Sequence, residues 1–265
     1  MEHIERKQLG AFLKSRRSRL APEDVGLPRG IRRRTNGLRR EEVATLAGVS
    51  ITWYTWIEQG RDIRVSLAVL ERLAHVLQLS SQERSYLLSL ATPAPGTVQA
   101  ARVAVDATLQ RILDHQEPCP AYILGRYWDI LAWNQAACWL FGDFAKLPSA
   151  ERNMLWYTFV VPEARLLVVD WELRARRLLA EFRADCGRYL KDPALIDLVE
   201  RVRAVSPEFA RWWESYDVQT RDGGQREFFH PQVGRIVLLQ TTFIVSNRPD
   251  LKLVVHMPLA DQASA

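Results

Sequence analysis

Cysteine is scarce. Cys119, Cys138 and Cys186 stand far apart in 265 residues, without C-x-x-C spacing. That argues against a disulfide scaffold and a cysteine-based zinc site, and fits a reducing compartment. Long apolar runs are also missing, with none approaching the ~18 residues a bilayer span needs. The opening MEHIERKQLG is polar and lacks the apolar stretch of a secretion signal. These absences predict a cytoplasmic protein with no membrane partner.

Catalytic signatures are equally thin. No G-x-S-x-G, H-E-x-x-H or P-loop pattern occurs, and the five histidines are dispersed. His75 has no partner at i+4 to share a metal. Gly223, Gly224 and Gln225 match the catalytic tripeptide of peptide-release factors, but the flanking RD and REFF make a hairpin turn the better reading. Cys186 with His230 could pair as nucleophile and base, with no motif to support them. The expectation is no enzyme, no metal and no obligatory cofactor.

What is present is a two-domain composition. The chain is too long for one small domain and is 48% hydrophobic and 25% charged, as in globular proteins. The net charge of +5 is unevenly spread: residues 1–91 hold 16 Lys+Arg against 10 Asp+Glu, a net of +6, and the remainder is close to neutral at −1. A basic head joined to a neutral body suits nucleic-acid binding with separate control.

The stretch LRREEVATLAGVSITWYTWIEQGR, 38–61, organises the head. Val43, Ala44, Leu46 and Ala47 give a first helix its apolar stripe, and Gly48 ends it in a tight turn. Ser50 can cap a second helix that runs to Gly60. At about 100° per residue, Tyr54 and Ile57 point to one side, Ile51, Thr52 and Thr55 point away, and Trp56 sits on the flank. Trp53 reads as core. A helix fits the major groove, where the start of the second helix of a helix-turn-helix meets base edges. Thr52 and Thr55 are therefore candidates for base choice, and Arg39 and Arg40 for phosphate contacts. Ser50, Ile51, Trp56 and Arg61 are further candidate DNA-binding residues.

This run resembles the helix-turn-helix of the Xre class of bacterial regulators. The arginine-rich insert before RREEVA, together with TWYTWIEQGR, is similar to the MmyB-like regulators, a likeness that continues to the end of the chain. That resemblance implies a PAS-like ligand-binding domain after the head and a lipid-like or fatty-acyl effector. Arg39 departs from the wider Xre pattern by standing where Ser or Thr commonly caps. A cation there opposes the helix dipole, so a nearby phosphate would suit it.

In chain order, a helix is expected from Ile4 to about Leu20, buried through Leu9, Phe12 and Leu13. The segment 21–37, APEDVGLPRGIRRRTNG, is expected to be a loop whose Arg32, Arg33 and Arg34 follow a minor groove or hold phosphates. Ser66 opens a fourth helix, and Ser80 with Glu83 makes a capping box for a fifth. TPAPG, 92–96, is a linker, followed by a connecting helix from Val98 to His115 that serves as a lever or a dimer contact. AYILGRYWDILAWN forms a hairpin turning near Gly125 to Tyr127. Asn134 caps a helix through Phe141, and a mainly helical region, broken at Pro162, Pro193 and Pro207, runs to Trp213. Strands follow over Arg226 to His230, Arg235 to Val245 and Leu251 to Met257, with turns at Asp222 to Gly224 and Asn247 to Asp250.

The fold class is thus α+β multidomain. An all-α five-helix helix-turn-helix domain occupies 1–91, a linker and connecting helix 92–117, and a PAS-like antiparallel sheet with helices 118–265. Seven of nine tryptophans lie beyond residue 120. Trp128, Trp133, Trp139, Trp156 and Trp171 are candidate walls of an apolar ligand site, although they could equally fill a core. The predicted function is a DNA-binding transcription regulator, partnered by double-stranded DNA, a small apolar effector and a second copy of itself. The alternatives are an antitoxin-like protein-interaction module and an enzyme acting on an apolar metabolite.

Overall fold

A computed structural model of the chain describes residues 3–28, 35, 37–91, 105–215, 224–246 and 248–259. It separates into two compact units. The first comprises Met1–Thr97 with Arg183–Asp197 and Trp213–Gln219, and the second comprises Val98–Phe182, Leu198–Trp212 and Thr220–Ala265. The division does not follow a single cut in the chain.

The first unit is built on five helices: α1 (His3–Arg19), α2 (Arg40–Ala47), α3 (Ile51–Glu58), α4 (Leu67–Val76) and α5 (Ser81–Ala91). Its core joins Leu9, Phe12 and Leu13 of α1 to Tyr54, Ile57, Leu70, Leu73 and Tyr86, all nearly inaccessible. Phe12 meets Tyr86 edge to face at 5.1 Å, a favoured aromatic geometry. The caps are local and follow the sequence: Ser50 and Ser66 accept the backbone N–H three residues on, and Ser80 and Glu83 bond each other's backbone. Gly48 ends α2 at φ 65°, where an L side chain is strained. The insert is not all loop, because Pro22–Val25 forms a 3-10 turn with Pro22 buried and Gly26 left-handed after it. Proline suits the first position of such a turn, where its missing N–H costs nothing. The later segment packs here too. A Cβ at Gly187 would lie 2.6 Å from the Tyr86 ring, Lys191 pairs with Glu5 at 3.0 Å, and Ser15 Oγ donates to the Ser215 carbonyl.

The second unit begins with α6 (Ala107–Asp114), capped by Asp106. The connecting helix expected from Val98 to His115 is described only from residue 105 on, where Ala107–Asp114 is helical; 98–104 lie outside the described residues. Next along the chain come β1 (Ala121–Leu124), β2 (Ile130–Trp133), α7 (Gln135–Phe141), α8 (Met154–Val160), α9 (Pro162–Leu167), α10 (Trp171–Cys186), α11 (Pro193–Val205) and α12 (Pro207–Trp213), of which 183–186 of α10, 193–197 of α11 and Trp213 belong to the first unit. The three prolines read as breaks each open a helix, as their fixed φ favours. β3 (Gly224–His230), β4 (Gly234–Val245) and β5 (Arg248–Pro258) complete an antiparallel sheet of order β2-β1-β5-β4-β3. The turn expected over Asn247 to Asp250 is partly strand, since β5 already includes Arg248 to Asp250. α6 covers one face of the sheet, with Leu109 and Leu113 against Ile123, Ala132 and Val255. Among the described residues no helix is long and apolar enough to cross a membrane.

Candidate functional site

Two sites are legible, one in each unit. On α3 the burial follows the helical period. Tyr54 is fully buried and Ile57 2% exposed, Trp53 and Thr55 are half-buried, and Ser50, Ile51, Thr52 and Trp56 face solvent. Tyr54 and Ile57 thus pin the helix through one face and leave the start of the other open. Arg61 lies over the exposed Trp56 ring at 5.7 Å and bonds Gln59 through Nε, so the aromatic flank carries a cation.

An ionic staple holds that helix. Glu58, at the end of α3, has a side chain only 1% exposed; it accepts from Arg17 at 2.5 and 3.2 Å and from Arg40 Nε at 2.6 Å. Arg17 also donates to the Leu38 carbonyl. Burial works to raise the Glu58 carboxyl, but hydrogen bonds and charge from Arg17 and Arg40 outweigh it and hold it below the ordinary carboxylate range. Arg40, expected on phosphate, is therefore partly committed to Glu58. The cation at Arg39 is answered locally. Its backbone N–H donates to Glu42 at 2.6 Å, and its guanidinium meets Glu41 at 3.3 Å, which places acid in the first turn as the helix dipole prefers. Arg32, Arg33 and Arg34 lie outside the described residues.

In the second unit a cavity of about 90 Å³ lies between one sheet face and α10. Alternate strand residues build its floor: Tyr122 of β1, Arg226 and Phe228 of β3, Gln240 of β4 and His256 of β5, with Gln240 and His256 directly paired. One side of α10 supplies Trp171, Arg174, Arg177, Leu178 and Glu181, and α7 and α8 add Phe141, Met154 and Tyr157. Trp128 completes the aromatic part. It is fully buried at φ 65° and meets Phe182 edge to face. A bulky residue so placed is strained by about 1–3 kcal/mol, which its packing must offset.

Of the five tryptophans picked from the sequence, Trp128 and Trp171 line this cavity, and Trp133, Trp139 and Trp156 do not. Trp133 meets Phe144, Trp139 is 44% exposed and stacks on His230 at 4.1 Å, and Trp156 lies under Arg201. Trp139 also explains His230, whose Nδ1 accepts from the Gln232 N–H while Nε2 donates to the Trp139 carbonyl. Both ring nitrogens are taken by backbone, which removes His230 as a base for Cys186. The polar lining was missed. Its signal was available, since Arg226, Gln240 and His256 interrupt apolar strands at period-two positions.

Residues 105–265 match the MmyB-like transcription regulator ligand-binding domain, and residues 8–87 match a helix-turn-helix domain. The chain belongs to the MmyB-like transcription regulators. No curated protein matches it. As an MmyB-like regulator it combines a DNA-binding head with a ligand-binding domain, and the cavity falls within the matched ligand-binding segment.

Proposed function

We propose that this regulator binds a specific operator and that a small apolar effector, held in the cavity of the second unit, sets its operator affinity. The observation that carries the reading is α3 itself: buried on Tyr54 and Ile57, it leaves Ser50, Ile51, Thr52 and Trp56 open. Thr52 and Thr55 choose bases, flanked by Ser50, Ile51 and Trp56. Arg39, Arg40, Arg61 and the run Arg32, Arg33 and Arg34 hold phosphates, with Arg40 shared with Glu58. The ring-lined cavity supports an effector with an apolar body, and the family resemblance favours a fatty-acyl one. The regulator acts in the cytoplasm as a homodimer on half-sites about one helical turn apart.

The test is native mass spectrometry of the full-length protein, denaturation to release any bound compound, and operator titration with and without that compound at fixed salt. The expected result is a stoichiometric apolar compound that shifts operator affinity. A compound that binds the cavity yet leaves operator affinity unchanged overturns effector control. Separately, sedimentation of the protein on operator DNA as a 1:1 complex overturns the dimer.

A further inference from the structure

Two of the cations assigned to phosphate are held in the same way. Arg40 Nε donates to Glu58 at 2.6 Å, and Arg61 Nε donates to Gln59 at 2.9 Å. The two acceptors are consecutive, the last residue of α3 and its C-cap, and both arginines are exposed. Arg61 has a second hold. Its guanidinium carbon lies 5.7 Å from the centre of the Trp56 ring, within the range of a cation–π contact. A guanidinium carries five N–H donors, and these anchors use only the one on Nε. Among the described residues nothing else bonds either group, so the four Nη donors of each stay open. Arg39 differs, because its guanidinium meets Glu41 through Nη1.

A carboxylate beside a phosphate-binding cation would cancel it if the two stood alone. Here Arg17 meets the same Glu58 carboxylate at 2.5 and 3.2 Å. Two guanidiniums on one carboxylate leave one positive charge over. The accessible one is Arg40, with 42% of its side chain exposed against 11% for Arg17. An exposed arginine gives up rotamer freedom when a ligand fixes it. One fixed at folding has met that cost before DNA arrives, and its planar fork then offers paired donors to a phosphate. We infer that Trp56, Glu58 and Gln59 are positioning residues for DNA binding: Glu58 aims Arg40, and Trp56 with Gln59 aims Arg61, each guanidinium anchored at Nε with its Nη pair turned to the phosphate backbone. Trp56 is thereby a platform for a cation and reads no base. This inference rests on α3 being the DNA-facing helix.

The experiment measures binding of the full-length protein to a fluorescein-labelled duplex of random sequence, by anisotropy at several salt concentrations. Random sequence isolates the phosphate contacts, since non-specific affinity is electrostatic. Each variant is assayed below its own melting transition. Arg40→Ala and Arg61→Ala each flatten the slope of log K against log salt by about 0.9, the share of one phosphate. Gln59→Met keeps the side chain's length and removes its acceptor. It leaves the slope unchanged and weakens binding about two- to tenfold, the cost of fixing one arginine at binding. Trp56→Leu does the same, and Trp56→Phe, which restores a ring face, stays within about twofold of the parent. In an Arg61→Ala background neither Gln59→Met nor Trp56→Leu has a further effect, because a positioning residue acts only through its arginine. Removing Glu58 would leave Arg17 without its anion, so the share of Glu58 is read from Arg40→Lys. The ammonium keeps the charge and the slope, but one nitrogen cannot both hold Glu58 and present a fork, and affinity falls about two- to tenfold. Gln59→Met and Trp56→Leu that bind like the parent, or that weaken binding equally with and without Arg61, overturn the aiming of Arg61. Arg40→Lys that binds like the parent overturns that of Arg40. If Arg40→Ala and Arg61→Ala both leave the slope unchanged, neither arginine meets phosphate and the DNA-facing reading itself falls.

Discussion

The Glu58 carboxylate takes hydrogen bonds from Arg17 of α1 and Arg40 of α2, so a single side chain at the end of α3 ties three helices. Glu58→Gln keeps the shape and leaves the Arg17 charge buried without its anion, a change that typically costs about 3–5 kcal/mol. Chemical denaturation of the variant should show that loss. Since the folded carboxyl is held below its unfolded value, the stabilisation is complete above the unfolded value of about 4.3 and is lost as pH falls through the folded one. The denaturation midpoint of the parent protein should therefore drop on acidification below about pH 4, and the variant's midpoint should drop less. A variant with the parent's acid slope would show that the staple contributes nothing to stability. Thr52 and Arg33 separate along another axis. Thr52→Ala should reorder operator preference with little change in salt dependence, whereas Arg33→Ala should weaken all sequences alike and flatten the slope of log K against log salt by about one. Binding measured on two operators at several salt concentrations distinguishes them, and the reverse pattern would exchange their roles.

Gly10 sets propensity against packing. In the interior of α1, glycine costs the helix about 1 kcal/mol relative to alanine, so helix propensity predicts that Gly10→Ala stabilises. A Cβ at that position would lie 2.5 Å from the Glu58 carbonyl and 2.6 Å from that of Ile57. Those are backbone atoms at the end of α3 and cannot swing aside as a flexible side chain could. The expected sign is destabilising by about 1–3 kcal/mol, as for other overpacked sites, and a melting curve of the single variant decides it; a raised melting temperature refutes the close approach. This contrast also marks what the sequence could tell. Caps at Ser50, Ser66 and Ser80, the Gly48 turn and the two faces of α3 were legible because each depends on residues within one turn. The antiparallel strands were legible through alternation and turn chemistry. What Gly10 touches, the placing of 183–197 with the first five helices, and the meeting of Arg226, Gln240 and Glu181 were not, because those partners lie tens of residues apart. Tryptophan content left two readings open for a related reason: it announces aromatic surface without saying whether that surface faces a cavity or a neighbouring ring, as Trp139 faces His230.

At the scale of the whole molecule, effector control is a coupling free energy and must be reciprocal. If an effector changes operator affinity by some factor, saturating operator must change effector affinity by the same factor, because both routes round the cycle join the same states. Coupling of about 1–3 kcal/mol corresponds to roughly 5–150-fold, large enough to measure from either end. The two ends have different sensitivities. Operator binding depends steeply on salt through the cationic residues of the first 91, whereas a ligand in a partly enclosed cavity is screened less. Effector titrations with and without operator should therefore differ by a factor matching the shift in operator affinity, provided salt is equal in both series. Fluorescence titration of the cavity tryptophans supplies one side of the cycle and operator binding the other. Matching factors require a single set of coupled states in which the effector distinguishes DNA-competent from incompetent protein. Operator affinity that shifts with effector while effector affinity ignores operator would instead mean that the compound acts outside this equilibrium, for example on the DNA or through aggregation.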